Sequence, residues 1–480
     1  MGKLSGIAPS DVFEIFEDIC GIPRESGNLD AIARYCIGFA ERNNYKWWRD
    51  KYNNVVIKKP ATKGYEKSET IILQSHLDMV CEKKDGVAFD FKKDAIRPYI
   101  DGDLIRAEGT TLGGDNGIGV AMTLAILQNK ELEHPSIEAL LTADEETSME
   151  GAFNLDCSIL SGHRLINLDS EFEGIFMCSC AGGVDISAEI PVVREEFEGE
   201  HAIITISGLM GGHSGVEIDK GRANANIILA RILKNIVGIC RIVRIEGGGR
   251  DNAIPSSASA YIAFKSSNRE EIAGVVASIG KEIRKEFISI EPDMAIKFEE
   301  AKNNVEKPFS QRSSEKTVDF LTIMPDGVQR MCPDITNLVQ TSSNLGILST
   351  EENSIKITAL IRSSVETEKK DLVDSMQKII ASYGGVSEVT DDFPGWAFDP
   401  NSRLKELVCE AYKEVTGKEG KADAVHAGIE CGLFSEKIPG LDCISIGPDM
   451  GEVHTPDEHL SISSTERTFN MLKAVLRKAI

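Results

Sequence analysis

Acidic and imidazole side chains follow three short apolar segments in this sequence of 480 residues. The segments are 71–75, 139–143 and 165–168, and the side chains that follow them are His76 and Asp78, Glu145 and Glu146, and Asp169. Short apolar runs of this kind are typical of buried strands. Ligand sites in open α/β sheets lie outside the carboxyl ends of the strands, so we expect these side chains to gather at one edge of a sheet.

Two further side chains complete this set. Asp115 lies in the glycine-rich stretch 112–117, where the glycines allow a tight turn that directs its carboxylate to the same edge. A second imidazole would come from the stretch 451–459, in which His454 and His459 are the two alternatives. Carboxylates gathered without basic partners repel one another, and a mixed set with imidazoles is typical of sites for Zn²⁺, Mn²⁺ or Co²⁺. The set therefore predicts two divalent ions that share one carboxylate and activate water for hydrolysis.

Each of these residues has an ordinary structural alternative when it is taken by itself. A histidine and an aspartate after a strand can form a simple hydrogen-bonded pair, and residues 144–146 can form an acidic surface loop. Asp115 and Asp169 can be helix N-caps. Independent caps and loops have no reason to recur at successive strand ends, so the recurrence favours the metal-site interpretation.

The overall composition argues against several classes of partner. Lys and Arg number 53 against 76 for Asp and Glu, a net charge of −23, and such a chain is repelled by nucleic-acid phosphates and anionic lipids. We expect no nucleic-acid partner and no membrane segment, because no apolar run has the length of a membrane span. The beginning of the chain lacks a signal-peptide pattern, and the 11 cysteines are scattered through apolar segments. These features predict reduced thiols and a cytoplasmic location.

The order of the predicted elements indicates two domains. In residues 1–181, short β-rich runs alternate with helices, which predicts an α/β layer with a mostly parallel sheet. In residues 182–392, alternating polar and apolar residues with intervening helices predict an α+β domain. The α/β pattern resumes in residues 393–480. We interpret the chain as a discontinuous α/β catalytic domain, 1–181 and 393–480, that is interrupted by an inserted lid domain.

These motifs resemble those of the cocatalytic zinc exopeptidases of the aminoacylase/carnosinase type, and within them the aminoacyl-histidine dipeptidase branch. The part typical of the whole clan is the metal motif given above, with His454-Thr455-Pro456 as its last member. Further stretches are typical of the dipeptidase branch: 209–215, 252–255, 341–346, 361–364 and 426–432. The resemblance covers nearly the whole chain.

The resemblance implies a ligand set for two divalent ions, zinc in the relatives, with cobalt or manganese as substitutes. The ligands would be His76, Asp115 and Asp169 for one ion and Glu146 and His454 for the other, with Asp115 shared by both. A shared carboxylate lets one side chain reduce the repulsion between the two ions.

The resemblance also implies roles for residues that bind no metal. Asp78 would orient the imidazole of a ligand, and Glu145 would be the general base that passes a proton from water to the leaving amine. In the lid, His213 would stabilise the oxyanion, Arg362 would pair with the terminal carboxylate of the substrate, and Asn252 would contact the same end. The ordinary alternatives are a turn histidine for His213 and a strand-surface cation for Arg362. In some relatives a partner subunit supplies the lid histidine. Two alternatives therefore remain for this chain: His213 acts on the metal centre of its own chain, or it acts on that of the partner in a homodimer.

The predicted function is hydrolysis of small, unblocked dipeptides, Xaa-His types including β-Ala-His, by metal-activated water. The preference for histidine is implied by the resemblance alone. An N-acyl-amino-acid amidohydrolase of the same fold is the alternative, and it would need a blocked amino terminus. A catalytically silent metal-binding interaction protein is a third hypothesis, which predicts a missing ligand or base, and none is missing from the motif.

Overall fold

The computed structural model describes residues 2–301 and 306–479, which fold as two compact units. Unit 1 is formed by the described residues of Met1–Ser179, Phe398–Ala424 and Ile429–Ile480, and unit 2 by those of Cys180–Ala397 and Val425–Gly428. Each unit has its own hydrophobic core. No helix in these ranges is long and apolar enough to cross a membrane.

Helices and strands are numbered here along the chain. The helices are α1 (Ser10–Cys20), α2 (Asp30–Arg42), α3 (Gly114–Gln128), α4 (Glu145–Ser148), α5 (Glu150–Asn154), α6 (Ala225–Leu233), α7 (Arg269–Glu286), α8 (Gln311–Ile323), α9 (Glu366–Ser382), α10 (Arg403–Thr416), α11 (Glu430–Lys437) and α12 (Ile462–Lys478). The strands of the first half are β1 (Lys46–Arg49), β2 (Val55–Lys59), β3 (Ile71–His76), β4 (Pro98–Asp101), β5 (Leu104–Ala107), β6 (Ile137–Thr142), β7 (Arg164–Asn167), β8 (Ile175–Cys180), β9 (Gly182–Pro191), β10 (Glu200–Ser207), β11 (Gly212–His213) and β12 (Cys240–Gly247). Those of the second half are β13 (Ala253–Ile254), β14 (Ala258–Phe264), β15 (Ala295–Glu300), β16 (Gly327–Met331), β17 (Val339–Thr350), β18 (Ser354–Ser363), β19 (Val386–Phe393), β20 (Lys421–Val425), β21 (Asp442–Ser445), β22 (Met450–Gly451) and β23 (His459–Ser461).

Unit 1 is built on an eight-stranded mixed sheet in the order β1-β2-β6-β3-β7-β21-β8-β20. The central strands β6, β3, β7 and β21 run parallel, whereas β1, β2 and β8 pair antiparallel with their neighbours. Every residue of β3 and β6 is buried, as expected for strands that are covered on both faces. The α/β class predicted from the sequence is confirmed, with parallel strands at the centre of the sheet and antiparallel strands at its sides.

Helix α3 lies close against the central strands of unit 1. Nearly all of its residues are buried, and the carbonyl oxygen of Leu168 would be 2.7 Å from a Cβ atom at Gly119. A glycine at this position therefore lets the helix backbone approach the sheet. This approach brings the amino-terminal end of α3 next to the carboxyl ends of β3 and β7.

Unit 2 contains a nine-stranded sheet with the order β15-β10-β14-β12-β17-β18-β9-β19 and with β16 beside β17. The pairings of this sheet are antiparallel, and β10 alternates between buried and half-exposed residues. Apolar residues of α6, α7, α8 and α9 join those of the strands in one core. The alternation of buried and half-exposed residues in β10 is what an antiparallel sheet with one covered face requires.

Candidate metal centre

The predicted ligand residues lie at the ends of the parallel strands of unit 1. His76 is the last residue of β3, and Glu146 lies in the first turn of α4, which follows β6. Asp169 comes two residues after the end of β7, and Asp115 lies in the first turn of α3. His454 lies in the loop between β22 and β23. The structure brings all five side chains together.

The five side chains form two groups around the carboxylate of Asp115. Its Oδ1 atom lies 3.0 Å from Nε2 of His76, and this nitrogen also lies 3.2 Å from Oδ1 of Asp169. Its Oδ2 atom lies 3.2 Å from Nε2 of His454, which lies 3.0 Å from Oε2 of Glu146. Each oxygen of Asp115 therefore faces one imidazole that is accompanied by a second carboxylate.

The spacing of these donor atoms fits divalent cations. Zinc bonds of about 2.0–2.2 Å in a tetrahedral arrangement place neighbouring ligand atoms about 3.3–3.6 Å apart, close to the separations seen here. Donor atoms of His76, Asp115 and Glu146 all lie within 4.8 Å of one another. Among the described residues, the buried Oε1 atom of Glu146 has no hydrogen-bond partner. The residues present thus fit one ion in each group.

The pKa values show an excess of negative charge at this centre. Hydrogen bonds to Asp115 and Glu146 raise the pKa of His454 to about 11. Burial lowers the pKa of His76, but the nearby carboxylates outweigh it and hold that pKa well above its ordinary value. Burial also raises the pKa of Asp169 to about 7. The carboxylates of this centre therefore need positive charge nearby, either from protons or from metal ions.

Only one of the two candidate histidines near the end of the chain belongs to this group. The side chain of His454 is 49% exposed, and its backbone has a φ of 62°. His459 pairs instead with Arg106 in the small sheet of β4, β5, β22 and β23. Its Nδ1 atom lies 3.1 Å from the carbonyl oxygen of Asp457.

Asp78 joins two of the loops that carry the site. It is fully buried, and its Oδ1 atom lies 3.4 Å from Nδ1 of His76. Its two oxygens accept hydrogen bonds from the backbone amides of Glu145 and Glu146, both at 3.1 Å. The hydroxyl of Ser26 donates a further hydrogen bond at 2.8 Å. The carboxylate of Asp78 therefore holds the turn at the start of α4 and lies beside the imidazole of His76.

Glu145 has a carboxyl group suited to accept a proton. Burial is the main reason why its pKa lies well above the ordinary value, and the charges of Asp169 and Glu430 add to this effect. The side chain lies in the first turn of α4, beside the ligand group but outside the contacts that join its members. General acid–base catalysis uses carboxyl groups whose pKa is raised above the ordinary value.

Two buried charged residues that the sequence analysis did not single out hold the loop before α3. The carboxylate of Glu458 accepts hydrogen bonds from the backbone amides of residues 112–115, at 2.6, 2.9, 2.7 and 3.2 Å. The guanidinium of Arg24 donates to the carbonyls of Leu77 and Asp78, at 3.2 and 2.8 Å, and to a carbonyl of the 112–115 loop. Together they connect the loop of Asp115 with the end of β3.

In unit 2, Arg362 is a buried cation on the polar face of the sheet. It lies in β18, is 6% exposed, and pairs in register with Ser342 of β17 and Gly183 of β9. Its Nε atom has no hydrogen-bond partner within the described part of the chain, and burial lowers its pKa. A buried guanidinium in this state is suited to bind the anionic group of a ligand.

His213 is held in one tautomer by its own turn. It pairs with Ala253 between β11 and β13, and its Nδ1 atom accepts hydrogen bonds from the amides of Gly215 and Val216, at 3.1 and 3.3 Å. Burial and the charge of Arg362 lower its pKa, so the ring is neutral at pH 7. The hydrogen bonds to Nδ1 assign the proton to Nε2, which makes that atom a hydrogen-bond donor.

The remaining predicted residue of unit 2 lies beside this turn. Asn252 is exposed, and its carbonyl oxygen accepts a hydrogen bond from the amide of Ser214 at 2.9 Å. His426, which sequence reasoning did not assign to a site, lies 2.7 Å from the hydroxyl of Ser342. Burial and the charge of Arg362 lower the pKa of His426 to about 3.

The fold and the site together define a peptidase: the chain belongs to Peptidase family M20/M25/M40, whose sequence pattern matches residues 72–478. The cytosol non-specific dipeptidase of Escherichia coli is 36% identical over 482 residues, which cover 100% of this chain and 99% of the relative. The crystal structure of the aminoacylhistidine dipeptidase of Vibrio alginolyticus has a TM-score of 0.95 and 36% identity, covering 99% of this chain and 98% of that one. Aminopeptidase PepT of Bacillus cereus shares the fold, with a TM-score of 0.58 and 17% identity over 98% of this chain and 99% of that one. The family predicted from the sequence motifs is therefore confirmed.

Proposed function

We propose that this protein is a metal-dependent dipeptidase that binds two divalent ions and hydrolyses unblocked dipeptides. The observation that carries the proposal is the carboxylate of Asp115, each oxygen of which faces an imidazole accompanied by a second carboxylate. The family and the two dipeptidases at 36% identity support the same activity. Cys20, Cys36 and Cys240 are free thiols, which agrees with a cytoplasmic enzyme, as the name of the Escherichia coli relative indicates for that protein.

The ligands of the two ions would be His76 and Asp169 on one side and Glu146 and His454 on the other, with Asp115 shared. We propose zinc as the native ion because imidazole and carboxylate donors suit it, with cobalt and manganese as substitutes. The bound ions would supply Lewis acidity towards water and the scissile carbonyl.

The proton transfer belongs to Glu145. Its carboxylate would take a proton from the attacking water and deliver it to the nitrogen of the leaving amine. The raised pKa of Glu145 supports this role, because a carboxyl group that binds a proton readily can both accept and return it. Asp78 would keep the carboxylate in place by holding the amide of Glu145.

Unit 2 would provide the groups that contact the substrate, as a lid domain does. The Nε2–H of His213 would donate a hydrogen bond to the oxyanion that forms from the peptide carbonyl. Arg362 would bind the carboxylate at the end of the dipeptide through two parallel hydrogen bonds, and Asn252 would contact the same end. Neutral His213 supports the first role, and the unpartnered Nε of Arg362 supports the second.

A substrate panel with controlled metal content tests this function. The protein is stripped of metal with a chelator and then supplied with Zn²⁺, Mn²⁺ or Co²⁺ before incubation with β-Ala-His, Ala-His, Ala-Leu and their N-acetylated forms. We expect added metal to restore hydrolysis of the free dipeptides, with Xaa-His among the substrates, and we expect the N-acetylated forms to stay intact. Removal of the acetyl group from the N-acetylated forms without cleavage of the free dipeptides would make the protein a deacylase. Two bound ions without any hydrolysis would support a binding protein.

A further inference from the structure

A row of buried polar side chains crosses the four central strands of unit 1 near their carboxyl ends. Gln74 of β3 donates a hydrogen bond to the hydroxyl of Thr142 of β6 at 3.1 Å. Asn167 of β7 donates to the side-chain oxygen of Gln74 at 2.5 Å, and the hydroxyl of Ser445 of β21 donates to Asn167. Ser445 lies 2.8 Å from the hydroxyl of Ser170. Buried polar rows of this kind specify how neighbouring strands align, because each unmade hydrogen bond is costly.

Glu430 is the charged member of this row. It is the first residue of α11 and is 1% exposed. Its Oε2 atom accepts hydrogen bonds from Gln74 at 2.6 Å and from Thr142 at 2.8 Å. Its Oε1 atom is buried and has no hydrogen-bond partner among the described residues. Burial raises the pKa of Glu430 to about 8, so the ionised carboxylate is held at this place at a cost in free energy.

The strands that Glu430 joins carry one ligand residue from each group of the metal centre. Gln74 comes two residues before His76 in β3, and Thr142 ends the strand that leads to Glu146. The carboxylate of Glu430 is therefore close enough to the centre to attract cations, and it accepts its hydrogen bonds from Gln74 and Thr142 of the strands.

Glu138 of β6 is another buried glutamate, and its surroundings differ from those of Glu430. Glu138 is 2% exposed, and its carboxylate accepts hydrogen bonds from the ammonium of Lys58 at 2.7 Å and from the amides of Ser161 and Gly162 at 2.8 and 3.1 Å. Burial raises the pKa of Glu138, but these hydrogen bonds outweigh it and hold the pKa below the ordinary value. The charge of Glu138 is thus balanced inside the protein, whereas that of Glu430 is not.

We propose that Glu430 is a positioning residue of the metal centre, which aligns the ends of β3 and β6 and strengthens the binding of divalent ions by its charge without binding an ion. The inference deepens the proposed function and rests on it. It predicts that the same carboxylate opposes folding of the metal-free protein and favours binding of metal. A residue with a merely structural role would stabilise both states.

The test compares E430Q with E138Q in the metal-free, full-length protein at pH 8, where the Glu430 carboxyl group ionises. Because the folded-state pKa of Glu430 lies above its ordinary value, its unfavourable effect on stability grows as the pH rises towards 8 and is removed in E430Q. We expect the melting temperature of E430Q to rise by roughly 5 °C. We expect its zinc affinity, measured by competition with a chromogenic chelator, to fall by about 10- to 100-fold, the usual effect of losing a group beside the ligands.

The control and the turnover assay make the result specific. E138Q should melt at a lower temperature and keep its zinc affinity, because Glu138 has its own partners. E430Q should need a higher zinc concentration than the unmodified protein to reach half of its own maximal turnover, and E430D, which keeps the charge, should retain more zinc affinity than E430Q. A lower melting temperature or a failure to fold in E430Q would overturn the inference, as would unchanged zinc affinity. Loss of one bound ion from E430Q at saturating zinc would also overturn it, because Glu430 would then be a ligand. Absence of zinc binding in the unmodified protein would instead reject the proposed function.

Discussion

Replacement of Arg24 by methionine tests whether the loops around the metal centre are held by long-range hydrogen bonds. Arg24 is 2% exposed, and its guanidinium donates to the carbonyl oxygens of Leu77 at 3.2 Å, Asp78 at 2.8 Å and Gly113. A Cβ atom at Gly113 or at Gly117 would collide with this guanidinium, so the two glycines make the space that it fills. Methionine would keep most of the apolar stem and remove the three donors.

The expected cost follows from the three hydrogen bonds. A hydrogen bond to a charged group contributes about 1.5–3 kcal/mol, so three of them set a range of about 4.5–9 kcal/mol. Water that enters the site can satisfy part of the released carbonyls, so we expect the lower end of this range, about 4.5 kcal/mol. The loss of stability should affect unit 1, because Leu77, Asp78 and Gly113 lie in that unit. Zinc affinity should fall as well, because the loops of Asp78 and Asp115 lose a common anchor.

The assay is urea unfolding of the metal-free protein, followed by the fluorescence of Trp47 and Trp48 in β1 of unit 1. The matched control is R34A, since the side chain of Arg34 is 72% exposed and pairs with Asp30 on the same helix. An exposed pair of this kind contributes little to stability, because water screens its charges. A loss below about 1 kcal/mol in R24M, similar to that of R34A, would refute the reasoning that these buried hydrogen bonds hold the loops.

Four further outcomes are expected. E145Q should keep two bound ions while kcat falls by about 10²- to 10⁴-fold, as metal analysis and turnover of the same sample will show. D115A should lose both ions and H454A only one, because one carboxylate serves both groups, and mass spectrometry of the native protein will count them. R362M should raise KM for dipeptides by at least about tenfold and leave KM for dipeptide amides unchanged, since the lost interaction is with the terminal carboxylate. The pKa of His426 is about 3 in the folded protein, against an ordinary value of 6.5. The free energy of unfolding of unit 2 should therefore decrease by about 1.4 kcal/mol per pH unit as the pH falls below 6.5, because the unfolded chain binds a proton at this imidazole and the folded chain does not. H426N should weaken this pH dependence, as urea unfolding at pH 4–7 will show.

Local patterns in the sequence were sufficient to predict the class of fold and the gathering of acidic and imidazole side chains at one edge of the sheet. The apolar runs before His76 and Asp169 are buried strands because a strand covered on both faces must be apolar throughout, and that property is visible without a structure. The glycine turn before Asp115 is visible for the same reason, because its backbone requires residues without a side chain. Parallel strands end at a common edge, so the nearness of these side chains could be inferred from their order alone.

The residues that hold this set in place depend on contacts that no local pattern records. Glu430 meets Gln74 across a separation of 356 residues, and Glu458 meets the amide of Leu112 across 346 residues. The choice of His454 over His459 depends on which of the two lies in the loop and which in the strand β23. The order of the strands, with β3 between β6 and β7, decides which distant residues become neighbours. A sequence shows which residues must be buried and where the backbone must turn, because these requirements are local. The partner of a buried charge is decided only in the folded protein, because the sheet brings distant segments together.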